Sequence, residues 1–154
     1  MGPSILLGFV VAGVLVASCF FLHLAVLRRL ARAVSPSRMR RPLLRVLFVI
    51  FALHMAETLL FALGFAFLEL VGAGQLEGAH GSFWAWFGDH FYFSIASYTT
   101  LGLGDIVPHG GLRVVTGIEA LAGLVLIAWS ASFSYLMMER LWQWRQPGKD
   151  AVGE

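Results

Sequence analysis

Thr99-Thr100-Leu101-Gly102-Leu103-Gly104-Asp105, running on into Ile106-Val107-Pro108, decides how this chain is read. It follows a short apolar segment and precedes a long one. A glycine-rich backbone at membrane depth has no partners in lipid for its N–H and C=O groups. It is tolerated only where it is buried in protein or lines a water-filled path. Successive backbone carbonyls turned to one side can replace the water shell of a monovalent cation. That arrangement needs alternating backbone conformations, which L-residues resist and glycine permits. Gly102 and Gly104 alternate with Leu101 and Leu103 as such a ladder requires. The two leucines are expected to point away from the axis and pack on the surrounding scaffold. Thr100 adds a hydroxyl at the inner end, and Asp105 a carboxylate at the outer mouth that raises the local cation concentration.

Upstream, the spacing predicts a short helix over 89–99 with Asp89 as its N-cap. Entering from outside and ending before Thr100, it aims the negative end of its dipole at a cation in the membrane. The apolar run that contains it, about 83–99, is too short to span and reads as re-entrant. Three other runs are long enough, at about 5–27, 46–71 and 114–138, since a spanning helix needs roughly 20 apolar residues. The composition agrees. The chain has 154 residues, of which 58% are hydrophobic and 13% charged. A soluble domain is about 45–50% apolar and about 25% charged. The fold class expected is therefore an all-α membrane protein with three transmembrane helices, a re-entrant helix and a filter loop. The divisions are an N-terminal span (1–27), a basic loop (28–45), a pore domain (46–140) and a tail (141–154). Within the pore domain lie an outer helix (46–71), the pore helix (89–99), the filter (100–105) and an inner helix (112–140).

Charge orients the chain. Seven of the eleven Lys and Arg residues lie between Arg28 and Arg45, and Arg140, Arg145 and Lys149 follow the last span. Between Val71 and Gly111 there is neither Lys nor Arg. Basic loops stay on the cytoplasmic side, so the N-terminus is expected outside, the 28–45 loop and the C-terminus inside, and residues 72–112 outside. Membrane topology accounts for the basic loop without nucleic acid, and attraction to anionic lipid headgroups accompanies it. Trp84 and Trp86 suit an outer interfacial belt, and Trp142 and Trp144 an inner one. Cys19, alone in an apolar run, reads as a small filler residue. None of the spans carries the Lys or Arg series of a voltage sensor.

The stretch from Phe91-Tyr92-Phe93-Ser94 through Asp105-Ile106-Val107-Pro108 resembles the pore loop of the potassium channel superfamily, whose signature is Thr-Val-Gly-Tyr-Gly-Asp. The resemblance covers roughly Val46 to Arg140. The whole chain is similar to small bacterial members with an extra N-terminal helix, which implies a bacterial inner (plasma) membrane. It implies that Thr100, Leu101, Gly102 and Leu103 supply the oxygens of the K+ sites, with Gly104 completing the filter. It places Thr99 behind the filter as support, Asp105 at the outer mouth, and Gly123 one residue from the inner-helix hinge. A single pore loop per chain implies four copies in cyclic symmetry, a homotetramer that conducts K+ and needs no cofactor beyond the permeant ion. The sequence departs from the family pattern at Leu103, where tyrosine is usual. Ala96 stands where some bacterial channels carry a buried glutamate, and Tyr92 and Phe93 replace tryptophans.

Ionisable residues inside spans face protein, not lipid. His54 and Glu57, three apart, share a helical face; an interhelical polar contact, a proton sensor and a metal site are the readings open to them, and two ligands are few for a metal. Glu119, about two turns into the last span, is expected either to brace the filter through Ser97, Tyr98 or Thr99 or to serve as a lone polar anchor. His23 is expected to snorkel at the inner interface. His80, His90 and His109 are expected as outer histidines, and Arg113 to pair with Asp105 or Glu77 or to anchor the last span. Three function classes are weighed: a potassium-selective channel, a weakly selective monovalent cation channel on the same scaffold, and, remotely, a haem- or metal-binding redox subunit using His23 and His54. Nothing in the sequence pairs a nucleophile with a base, and the glycines precede Asp105 where a nucleotide cradle has Lys-Ser/Thr, so an enzyme is not expected.

Overall fold

The structure, a computed structural model, describes residues 2–33, 42–79 and 83–143. Arg38, Arg40, Arg41, His80, Trp144, Arg145 and Lys149 lie outside the described residues, as does the side chain of Trp84. Four helices follow in order: α1 (Pro3–Ala33), α2 (Pro42–Leu70), α3 (Phe83–Tyr98) and α4 (Leu112–Gln143). Two short strands, β1 (Leu76–Glu77) and β2 (Val107–Pro108), pair antiparallel with Leu76 opposite Pro108 and Glu77 opposite Val107. Pro3 and Pro42 each open a helix, the position where a missing N–H leaves nothing unpaired.

Helices α1, α2 and α4 are long and apolar enough to cross a membrane. Helix α3 has 16 residues, about 24 Å of rise, which is short of a hydrocarbon core of about 30 Å. The chain is an all-α integral membrane protein in which α3 enters and turns back. Helix α3 begins at Phe83, so Asp89 lies within it and does not cap its start. The helix extends back through Trp86 because Trp86 gains a partner there: its Nε1 donates to Glu69 Oε2 at 2.7 Å.

Apolar side chains alone do not drive helices together in lipid. Close approach of small residues and polar cross-links do. Helix α1 buries Gly8, Ala12, Cys19, His23, Leu27 and Leu30 along one face. A side chain at Gly8 would strike the backbone of Gly111, so the start of α1 sits against the start of α4. One core joins α1, α2, α3 and α4 around Phe61, Phe65, Tyr98, Val115 and Leu126. A smaller one gathers Leu27, Leu30, Val46, Ile50 and Met137 at the opposite end of the bundle. The filter-side ends of α2 and α4 are tied by backbone: His109 N donates to Gln75 O at 2.9 Å and Gly111 N to Ala73 O at 2.8 Å.

Candidate ion-conduction site

Helix α3 ends in a Schellman motif, and that motif starts the candidate filter strand. Thr100 N donates to Ser97 O at 3.0 Å, and Leu101 N to Ala96 O at 2.8 Å. These are the paired bonds that close a helix when the residue after its cap turns left-handed. Here that residue is Thr100, with φ 58°, where glycine is usual. Gly102 and Gly104 are also left-handed, at φ 53° and 82°. Among residues 99–105 the left-handed conformation thus recurs at every second position, an alternation that turns successive carbonyls to one side. Around Gly102 and Gly104 an added Cβ would meet no atom of the chain, so the strand borders open space. The expectation named the two glycines; the third position was readable only by carrying their alternation one step back.

Leu101 and Leu103 are 62% and 61% exposed in the single chain, not packed on its scaffold as expected. Thr99 is also exposed, and its Oγ1 donates to Ile95 O at 2.7 Å along its own helix. At the mouth, Tyr92 Oη donates to Asp105 Oδ2 at 2.7 Å, and Ile106 N donates to Asp105 Oδ1 at 3.1 Å. The Tyr92 link was not foreseen. It joins the middle of α3 to the loop that follows it, thirteen residues on. The bond to Asp105 holds the Tyr92 phenol above the usual tyrosine range. Arg113 was expected to pair with Asp105 or Glu77 or to anchor the last span; Glu77 meets His109 Nε2 at 2.8 Å, and Arg113 stands in the first turn of α4.

Behind the filter, Glu119 is fully buried. It meets Ser94, not Ser97, Tyr98 or Thr99. Ser94 Oγ lies 2.6 Å from Glu119 Oε1 and 2.7 Å from Thr58 O. Ser94 is on α3, Thr58 on α2 and Glu119 on α4, so one hydroxyl joins three helices. Gly123 lies where α4 touches the end of α3, and any side chain there would overlap the carbonyl oxygen of Tyr98. Its expected position near a hinge thus carries a packing duty as well.

A second buried cluster corrects the reading of His23. It does not snorkel; it is fully buried, with Nδ1 2.8 Å from Glu57 Oε1 and Nε2 3.3 Å from Ser130 Oγ. Glu57 Oε2 accepts from Tyr98 Oη at 2.6 Å and lies 3.0 Å from His54 Nδ1. The contact expected at His54 and Glu57 is there, enlarged by His23 from α1 and Tyr98 from α3. The stripe of small residues on α1 leading to His23 was the signal that it faces protein. His90 also departs from expectation. It is buried, with Nδ1 2.7 Å from Trp86 O and Nε2 2.8 Å from Glu69 Oε2.

A re-entrant helix that ends in a glycine-alternating strand, held between two membrane-spanning helices, defines a membrane pore protein. Residues 46–140 match the ion channel family. That is more than half of the chain, which belongs to this family of two-helix, potassium-channel-like ion channels. No curated protein and no solved structure matches the chain. Helix α1 lies outside the matched region.

Proposed function

We propose that four copies of this chain assemble about one axis as a potassium-selective channel. The filter is Thr100 to Gly104, with main-chain oxygens of Thr100, Leu101, Gly102 and Leu103 and the Thr100 hydroxyl as K+ ligands. Asp105 concentrates cations at the mouth. Thr99 and Glu119 support the filter, and Gly123 serves the inner helix where it meets α3. The observation that carries this reading is the left-handed backbone at Thr100, Gly102 and Gly104, bordered by open space. A strand of this shape has no use in a single chain. Leu101 and Leu103, exposed alone, gain cover from neighbouring copies in a ring. The basic loop faces the cytoplasm and anionic lipid, and the filter mouth faces outward, in a bacterial inner membrane.

The test is flux from liposomes containing the purified protein, with K+ and Na+ compared, before and after Gly102→Ala. Potassium flux well above sodium flux, lost in the variant while it still elutes as a tetramer, is the expected result. Equal K+ and Na+ flux in the wild type selects the weakly selective cation channel. Transport untouched by Gly102→Ala sinks the filter assignment.

A further inference from the structure

A filter of carbonyl oxygens needs no imidazole, yet two histidines and a carboxylate converge behind it. His23, His54 and Glu57 place ligand-type atoms within 4.8 Å of one another. Tyr98 closes the group. Its Oη, His54 Nδ1 and Glu57 Oε2 form a triangle with sides of 2.9, 3.0 and 2.6 Å. Atoms bound tetrahedrally to one small cation at about 2.0–2.2 Å stand about 3.3–3.6 Å apart. The triangle is tighter than the face of such a shell and opens by somewhat under about 1 Å a side to hold the ion. His23 completes it from the other side through Glu57 Oε1, 2.8 Å away.

The outer partner of His23 also fits. A metal-binding imidazole offers one nitrogen to the ion and holds its proton on the other, against an acceptor that fixes the ring. His23 Nε2 faces Ser130 Oγ at 3.3 Å while Nδ1 faces the cluster. Trp129 packs beside the ring, with centroids 5.2 Å apart, and restricts its rotation. Two imidazoles with one carboxylate suit a borderline divalent ion such as Zn2+; Ca2+ and Mg2+ prefer oxygen alone. His23 and Glu57 are fully buried, and His54, 15% exposed, stands at the edge of the cluster. The two imidazole centroids are 5.7 Å apart and each ring has a Glu57 oxygen within 3.0 Å, too close for a porphyrin to lie between them.

We infer that His23, His54 and Glu57, closed by Tyr98, form a binding site for a divalent transition-metal ion of the zinc class. To load it, each imidazole carries its proton on Nε2 and turns the Nδ1 lone pair to the ion. Glu57 then shares its oxygens with the metal, and Tyr98 Oη loses its carboxylate acceptor. Tyr98 stands two residues before Thr100. Given the channel reading above, occupancy changes the support at the inner end of the filter, and α1 supplies the ligand that couples it there.

The test uses tag-free, full-length protein, stripped with a chelator and titrated with Co2+ as a spectroscopic stand-in for Zn2+. One Co2+ per chain is expected, with visible d–d absorption that Zn2+ abolishes. Affinity should fall roughly tenfold or more in His23→Asn and in Glu57→Gln, while His109→Asn, at the exposed pair with Glu77, binds as wild type. His54→Cys should keep the site and add a thiolate-to-cobalt charge-transfer band, a readout that does not need His23→Asn to fold. Wild-type protein that takes up no Co2+, ligand variants that bind as wild type, or a His54→Cys protein without the new band would each overturn the site. Potassium flux by the stripped protein is scored separately: conduction without cobalt binding removes only the metal site, and cobalt binding without conduction removes only the channel reading.

Discussion

Tyr92 Oη donates a 2.7 Å hydrogen bond to Asp105 Oδ2, tying the pore helix to the filter mouth. This link stands in a chain that lacks two others its resemblance to the family would imply, since Leu103 carries no hydroxyl and Ala96 no carboxyl. One bond from α3 thus takes over the bracing of the mouth.

Removing it should loosen the mouth without unfolding the protein. Tyr92→Phe keeps the ring and deletes the donor. The expected outcome is weaker discrimination of K+ against Na+ in liposome flux, with unchanged elution as an assembled protein. The same bond raises the Tyr92 pKa, first through the hydrogen bond to Asp105. A raised value means the neutral phenol is favoured in the fold. Its contribution is complete below the ordinary tyrosine value of about 10 and disappears as pH climbs through the raised one. Wild-type selectivity should therefore fall toward that of Tyr92→Phe only in strongly alkaline outer solution, and the variant should be flat across that range. A variant with wild-type selectivity would show that Asp105 is held by other means.

Thr100 is left-handed at φ 58° in the Schellman position where glycine is usual. An L-residue there costs roughly 1–2 kcal/mol. Thr100→Gly should relieve that strain and raise thermal stability, while deleting the hydroxyl proposed as a ligand of the innermost ion. The expected pattern is opposed: a higher unfolding midpoint with weaker K+ binding, measured by K+-dependent protection against thermal unfolding. Thr100→Ser should keep the binding and the strain. If Thr100→Gly bound K+ as tightly as wild type, the hydroxyl would not be a ligand.

These two residues mark how far the sequence could be read. The three spans, the re-entrant segment and the glycine alternation were legible because each follows from local composition and backbone sterics. The left-handed turn at Thr100 was hidden because threonine does not advertise that conformation. The links made by Tyr92, Ser94 and His23 were hidden for another reason. Their partners lie 13, 25 and 34 residues away, brought together by the return of the loop along α3, the packing of α4 on α3 and the packing of α1 on α2. His23 was misread because a histidine near a span's end can reach the interface or turn inward, and the facing helix decides. The start of α3 was placed too late because Asp89 is a good cap in isolation, whereas the bond from Trp86 to Glu69 extends the helix past it.

Proton counting at Ser94 gives a third outcome. Its single hydroxyl proton serves Thr58 O or Glu119 Oε1, not both. The carbonyl can only accept, so a proton on Glu119 Oε1 is what lets Ser94 bond both neighbours, while Glu119 Oε2 has no partner among the described residues. Glu119→Gln, whose amide also donates, should assemble and conduct much as wild type. Glu119→Ala should leave Ser94 and its cavity unpaired and cost about 1–3 kcal/mol, seen as a lower thermal midpoint and less assembled protein. If Gln were as damaging as Ala, the carboxyl would be acting as an anion, and the bonding scheme would be wrong.

Gly123 offers the sharpest test of how α4 meets the pore helix. The carbonyl of Tyr98 occupies the space a Cβ would need, and that carbonyl is backbone, which cannot swing aside. Gly123→Ala must therefore push α4 from the end of α3. Overpacking of this kind costs about 1–3 kcal/mol. The displacement falls at Tyr98, one residue from Thr99 and two from the first left-handed turn of the filter. Gly13→Ala is the matched comparison, since a Cβ on that face of α1 meets nothing within 4 Å. It should be neutral or slightly stabilising, by up to about 1 kcal/mol, from helix propensity alone. Thermal unfolding of the two purified variants, with K+ flux alongside, separates the cases. Loss of stability and of selectivity in Gly123→Ala, with Gly13→Ala intact, is expected. Two variants of equal stability would mean that α4 moves away from Tyr98 at no cost, and that Gly123 serves bending more than contact.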